Sequence, residues 1–215
     1  MSARLLLASA SPARLATLRS AGIEPAVAVS GVDEPALLAD AGRRATAAGR
    51  GPVPATEQVL LLARAKAEDV RGGPAAEGAD LVLGCDSMLE MAGPAGPMVV
   101  GKPADAAEAR ERWRAMRGGS GVLHTGHWLI RSDGEATGAT SSTQVHFADL
   151  DEQEIDAYVA TGEPLRVAGA FTIDGLGGPF VTGIEGDHHG VVGLSLPLFR
   201  ELLGRLGVTI PDLWS

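Results

Sequence analysis

Leu5-Leu6-Leu7-Ala8-Ser9-Ala10-Ser11-Pro12-Ala13-Arg14-Leu15 is the stretch on which the reading of the chain turns. Its apolar run has the composition of a buried strand. The run breaks at two small hydroxyl residues, Ser9 and Ser11, and a proline follows. Ser11 stands where an N-cap belongs, and Pro12 takes the first helical position, where its missing N–H is no loss. Leu15 and Leu18 then share a helical face, and Gly22 offers a C-terminal stop. A strand that ends as a helix begins directs unpaired N–H groups, two hydroxyls and Arg14 to one place. Such a place suits an anion, phosphate best of all. The same residues also describe an ordinary capped helix after a strand, so the local pattern leaves both readings open.

The whole chain has 215 residues, 45% hydrophobic and 21% charged, which is enough for a large buried core. It is read as one domain over residues 1–215. With a net charge of −9, a nucleic-acid groove is not expected. An acidic protein that holds a polyphosphate must gather its cations locally or use a metal. Cys85 is the one cysteine, so no internal disulfide is possible, and a reducing cytoplasm suits the chain. The N-terminus lacks a secretion-signal pattern and no apolar run is long enough to span a membrane. A cytoplasmic location is therefore expected.

Of 18 basic side chains only Lys66 and Lys102 are lysine. A lysine kept against an arginine bias is chance, or answers a need for a compact point charge or for a group that can lose its proton.

Further along, residues 26–29 suggest a short strand closed by Val32-Asp33-Glu34-Pro35. Residues 36–55 carry Arg43, Arg44 and Arg50 among Ala, Gly and Pro, and are expected to form a mobile loop or frayed helix. Thr56 and Glu57 open a helix to about Val70, with Val59, Leu62, Ala63 and Lys66 three and four apart. Lys66 thus lies along the apolar face, either snorkelling or meeting an anion. Asp80–Gly84 reads as a central strand that delivers Cys85, Asp86 and Ser87 at its C-terminal end, where α/β proteins hold ligands. A Gly/Pro turn is expected at 92–97, and Lys102 is expected on the loop Gly101-Lys102-Pro103.

Asp105 and Glu108 begin a helix with Ala109, Trp113 and Met116 inward and Arg110, Arg112, Arg114 and Arg117 on a solvated face. Ser132-Asp133-Gly134 joins two β-rich segments as a hairpin. Asp151 and Glu154 cap another helix, short strands or loops follow near 170–173, 180–184 and 191–194, and Ser195-Leu196-Pro197 opens the last helix. Alternating strands and helices followed by hairpins predict an α/β fold with a mixed sheet.

The polar groups at element ends are Ser9, Ser11, Arg14, Glu34, Lys66, Asp86, Lys102 and Glu163. Hydroxyls and cations hold phosphate oxygens, and carboxylates hold Mg²⁺ or Mn²⁺ or orient a water. Together they are equipment for cutting a phosphoanhydride. Taken singly each has a plainer reading: Glu34 as a loop acid, Asp86 as a turn cap. His124 and His127 lack a third ligand for zinc and fall on opposite faces of a strand, so they read as structural or substrate-edge residues. His188 and His189 sit in a Gly/Asp-rich loop where exposure is expected, and Cys85 reads as a small buried hydrophobe.

In order, these stretches resemble the Maf family of septum-formation-associated nucleotide pyrophosphatases nearly end to end. The resemblance rests on Leu7-Ala8-Ser9-Ala10-Ser11-Pro12-Ala13-Arg14, Val32-Asp33-Glu34, Leu62-Ala63-Arg64-Ala65-Lys66-Ala67, Gly84-Cys85-Asp86-Ser87 and Gly101-Lys102-Pro103. His124-Thr125-Gly126, Thr161-Gly162-Glu163-Pro164 and Val191-Val192-Gly193-Leu194 continue it.

The resemblance implies hydrolysis of a nucleoside triphosphate, dTTP- or UTP-like or modified, to the monophosphate and pyrophosphate with Mg²⁺ or Mn²⁺. It also implies an elongated mixed sheet with two lobes around a cleft, similar to inosine-triphosphate pyrophosphatases, and a homodimer. It marks Asp86 as the proposed catalytic aspartate and Glu34 as an acidic site. With the reading of the residues above, Ser9, Ser11 and Arg14 are expected to hold phosphate, Glu34 and Asp86 a metal, Lys66 and Lys102 to neutralise charge, and Asp86 to position the attacking water. The chain departs from the family at Ala13, where an arginine is usual, and at Arg166-Val167, where a lysine is lost. Asp174 replaces a glutamine associated with base choice and is the base-selectivity candidate. Those departures motivate an alternative, a nucleotide-binding regulator of cell division with weak or no catalysis.

Overall fold

The computed structural model describes residues 3–93 and 96–214. Leu5–Ala8 forms strand β1 and is buried at every position. Ser11 caps helix α1 (Pro12–Ser20), accepting the Arg14 N–H on its side chain, with Pro12 in the first turn. Gly22, at φ +79°, follows in the left-handed conformation that a chain leaving a helix adopts most easily with glycine. The opening strand–helix pair is therefore built as its sequence predicts.

Strand β2 is Ala26–Ala28. The segment after it is the largest correction to the sequence reading. Glu34–Ala47 is a regular helix, α2, not a mobile loop. Asp33 caps it by accepting the Ala36 N–H at 3.0 Å, and Glu34 and Pro35 form its first turn. Only Ala45 is fully buried along it, which is why no core face shows in the sequence. Helix α3 (Ala55–Arg71) buries Val59, Leu62, Ala63, Lys66, Ala67 and Val70 in the expected spacing.

The remaining strands are β3 (Leu81–Gly93), β4 (Gly96–Val100), β5 (Ser120–Arg131), β6 (Ala136–Phe147) and β7 (Val181–Glu185). Positions 94 and 95 of the expected turn lie outside the described residues. Among the described residues seven strands form one sheet in the order β2-β1-β3-β5-β6-β7, with β4 paired to β3. β1 runs parallel to β2 and β3, while β4 is antiparallel to β3 and β7 to β6. The sheet is mixed, as predicted. The helices beyond it are α4 (Ala106–Met116), α5 (Glu152–Ala160), α6 (His188–Val192) and α7 (Leu196–Arg205). His188 and His189 thus open a short helix and do not lie in a loop; His188 is exposed and His189 half-buried.

The chain divides into two compact units. The first comprises the chain up to Asp86, residues 125–141, and the segment from 193 onward. Its core joins Leu5 and Leu7 to Leu81, Leu83 and Cys85 and to Phe199, Leu202 and Leu203 of α7. The second comprises 87–124 and 142–192. Its core centres on Trp113, which meets Phe147, Tyr158 and Phe180 edge-on at centroid distances of 5.5–5.9 Å, a favoured aromatic geometry.

Candidate active site

In the first unit, the lysine on the apolar face of α3 meets two acids. Lys66 Nζ lies 2.6 Å from Asp86 Oδ1 and 2.7 Å from Glu34 Oε1. The Lys66 and Asp86 side chains are each 11% exposed, whereas Glu34 is 45% exposed. The three come from three elements: Glu34 from the first turn of α2, Lys66 from the middle of α3, and Asp86 from β3. Burial, ahead of every neighbouring charge, pushes the Asp86 carboxyl above the ordinary aspartate range; Lys66 and Arg14 oppose the rise and Glu34 adds to it. A carboxylate held this way is a stronger proton acceptor than a solvated one.

Two glycines set the distance at which α3 can deliver Lys66. A Cβ on Gly84 would stand 2.0 Å from the Ala63 carbonyl oxygen and 2.9 Å from the Ala67 nitrogen. A Cβ on Gly126 would stand 2.3 Å from the Val59 carbonyl oxygen. The helix backbone therefore rests directly on β3 and β5, and only glycine leaves room at both contacts. The sequence reading missed this function. Its signal was available: Gly84 immediately precedes Cys85-Asp86, and small residues recur at Ala63 and Ala67.

Ser9, Ser11 and Arg14 also gather in this unit. Ser9 Oγ accepts the Ser11 N–H at 3.2 Å and an Arg14 Nη1–H at 3.0 Å. The Arg14 guanidinium donates further to the Cys85 carbonyl at 3.0 Å and, from Nε, to the Gly193 carbonyl at 2.8 Å. Arg14 is thus a brace between the end of β1, the strand that carries Asp86, and the approach to α7. Its carbonyl partners lie 71 and 179 residues away and are backbone atoms, so no sequence motif announces them. Among the described residues the N–H of Ala13 finds no acceptor, as a first-turn amide does when nothing caps it. Cys85 is buried, and burial pushes its thiol up to about 12, consistent with a structural residue.

The second unit holds the other candidates. Lys102 is exposed on its loop. That loop is fixed from behind: Gly101 O accepts from Arg112 Nη1 and from Gly169 N, and Lys102 O accepts from Arg112 Nη2 at 3.4 Å. Arg112 is therefore mostly buried, at 12% side-chain exposure, and is not part of a solvated face. Glu163 is an organising residue. Its carboxylate accepts the Tyr158 hydroxyl at 2.8 Å and the N–H groups of Leu176 and Gly177 at 3.0 and 2.9 Å. Burial and Glu163 together push the Tyr158 phenol well above its usual range. Asp174 is exposed on the segment so pinned and accepts the Thr172 hydroxyl.

Neither strand histidine is placed as a metal ligand. His127 accepts the Ser195 N–H on Nε2 at 2.9 Å, with Nδ1 3.0 Å from the Thr125 carbonyl, so its ring is neutral and satisfied. His124 Nδ1 lies 2.8 Å from Ser142 Oγ, and burial lowers its pKa.

Glu34 and Asp86 fit a hard divalent cation. Both acids converge on one ammonium, their donors are all oxygen, and Asp86 Oδ2 and Glu34 Oε2 have no protein partner among the described residues.

Comparison with known proteins agrees on the family. A family model described as Maf-like protein matches residues 4–206. A protein of Salinispora tropica named nucleoside triphosphate pyrophosphatase is 55% identical over 215 residues, covering 99% of this chain and 88% of that protein. One of the same name from Streptomyces coelicolor is 54% identical over 214 residues, covering 99% and 95%. Among solved structures, a nucleoside-triphosphatase described as a dITP/XTP pyrophosphatase from Mycobacterium abscessus is similar at 13% identity and a TM-score of 0.40, with 94% of each chain covered. The Staphylococcus aureus Ham1 protein is similar at 12% identity and a TM-score of 0.37, covering 98% of this chain and 93% of that one. No helix of the described residues is long and apolar enough to cross a membrane.

Proposed function

The chain belongs to the Maf family, and we propose that it hydrolyses a nucleoside triphosphate to the nucleoside monophosphate and pyrophosphate. The observation that carries this reading is the Glu34–Lys66–Asp86 group, in which the buried Lys66 Nζ lies 2.6 Å from the buried Asp86 and 2.7 Å from the half-exposed Glu34. A structural ion pair needs one acid; a second, half-exposed acid beside the first supports a site where one or two carboxylates and substrate phosphates share a divalent cation.

In this reading Ser9, Ser11 and the first turn of α1 receive phosphate oxygens, with Arg14 bracing the Ser9 end. Glu34 and Asp86 would hold Mg²⁺ or Mn²⁺, which would offset phosphate charge and polarise the phosphorus centre. Asp86 orients the water that attacks the α-phosphorus and takes its proton. Lys66 keeps the two acids in register and opposes the charge that grows on the bridging oxygen. Lys102 contributes a second ammonium, an assignment that rests on its Gly101-Lys102-Pro103 motif. The base is dTTP- or UTP-like or modified, with Asp174 as the selecting residue. We further propose a cytoplasmic homodimer.

The test is pyrophosphate release from a panel of common and modified nucleoside triphosphates, each with Mg²⁺, with Mn²⁺ and with chelator. The reading expects release from at least one nucleotide, lost on chelation. Binding of nucleotide without release from any member would overturn it and favour a nucleotide-binding regulator.

A further inference from the structure

The first unit carries a cavity of about 430 Å³ at the opposite end of its strands from Ser9 and Asp86. Arg4 and Asp80 immediately precede β1 and β3, Arg131 ends β5, and Arg71 ends α3; with Gly78 and Ser132 they line the cavity. The volume is within the range of small-molecule sites.

The three arginines are not equivalent. Arg131 is fully engaged: it donates to the Leu206 carbonyl at 2.5 Å, to Asp133 at 2.6 Å and to Glu135 at 2.6 Å. Among the described residues the guanidiniums of Arg4 and Arg71 have no hydrogen-bond or ion-pair partner. Asp80 accepts the Arg4 main-chain N–H on Oδ2 at 2.8 Å, and its Oδ1 has no partner among the described residues. Each unpaired guanidinium also lies against a glycine in the left-handed conformation. A Cβ on Gly78, at φ +75°, would stand 2.8 Å from Arg4 Nη2, and one on Gly134, at φ +98°, would stand 3.3 Å from Arg71 Nη2. The turns thus leave room for the guanidiniums, which a side chain would displace.

Two unpaired guanidiniums facing one concavity form a local positive site in a chain of net charge −9. Guanidinium forks match the oxygens of carboxylate and phosphate groups, and a phosphate monoester, with nearly two charges and three acceptor oxygens, is the one of the two that can engage both arginines at once. The open Asp80 oxygen only accepts, so a ligand that fills the whole cavity brings a hydroxyl or N–H within reach of it. We infer that this cavity binds the phosphate monoester of a ribose-sized polyol, its phosphate on Arg4 and Arg71 and a hydroxyl on Asp80, at a second site independent of the reading of the first. The shared chemistry is ribose phosphate, supplied by a free sugar phosphate or by a nucleoside monophosphate.

The test is a titration of the ¹⁵N-labelled full chain followed by amide shifts, with ribose 5-phosphate, uridine monophosphate and inorganic phosphate as separate probes. Ribose 5-phosphate is expected to give saturable shifts at Gly78 and Gly134. Arg4→Gln with Arg71→Gln should weaken that binding at least tenfold while the rest of the spectrum is kept, since both side chains are exposed. Asp86→Asn should leave it unchanged. Uridine monophosphate binding as tightly as ribose 5-phosphate assigns the site to a nucleotide, and weaker binding to a sugar phosphate; both support it. Inorganic phosphate binding as tightly as ribose 5-phosphate would overturn the polyol assignment. Absence of saturable shifts at the two glycines, or shifts indifferent to the arginine substitutions, would overturn the site itself.

Discussion

Lys66 is a buried ammonium whose two contacts are both carboxylates. Removing it leaves Asp86 buried without its nearest counter-charge, the condition under which breaking an ion pair is most damaging. Lys66→Ala is therefore expected to destabilise the protein by about 3–5 kcal/mol, read as a shift in urea midpoint at unchanged slope. A loss below about 1 kcal/mol, the value typical of surface pairs, would mean that the group is solvated and the account of Asp86 is wrong. At this scale the sequence was informative about which residues matter and silent about what they touch. Lys66 stood out because arginine is otherwise the rule and because it fell on an apolar helical face. Its contact with Glu34 could not be read, since the helix that presents Glu34 was not recognised. Arg14 was legible as a cation, but its partners are carbonyl groups, which every residue has.

The elements succeed or fail as predictions according to how strongly they are packed. β1, α3 and the last helix bury regular apolar faces and were read correctly. α2 buries only Ala45, and its sequence signal lies instead in Asp33, Glu34 and Pro35, an N-terminal signature that in sequence also fits the end of a strand. Arg112 was misread for a related reason: periodicity placed it with three other arginines, while its true partners are main-chain oxygens of the Gly101–Lys102 loop. The approach of α3 to the sheet is the element-level feature on which the site depends. Gly84→Ala would bring a methyl group 2.0 Å from the Ala63 carbonyl, so the helix must move. Overpacking at backbone commonly costs about 1–3 kcal/mol and at times more. At this distance we expect the upper end, about 3 kcal/mol, together with loss of pyrophosphate release as Lys66 leaves Asp86. A Gly84→Ala protein with wild-type stability and activity would show that the close approach is dispensable.

For the molecule as a whole, alternation of strands and helices was enough to predict a mixed α/β sheet, because that pattern has few ways to bury its apolar faces. Strand order was not legible, and two lobes were expected only from the family resemblance, since β3, β5 and β6 each pass from one unit to the other without any change in composition. The net charge of −9 makes local cation placement the problem that a polyphosphate enzyme must solve. In the first unit two cations act on the Asp86 carboxylate: Lys66 at 2.6 Å, and Arg14, which donates to the carbonyl of the preceding residue, Cys85.

The most direct test is the turnover of Asp86→Asn, measured as pyrophosphate release from the best substrate at saturation, beside a thermal melt of the same protein. Asparagine keeps the size and one hydrogen-bond acceptor for Lys66 while removing the base, so turnover should fall at least about 100-fold, the usual contribution of a general base, with the protein still folded. A folded Asp86→Asn protein that releases pyrophosphate at the wild-type rate would contradict the account.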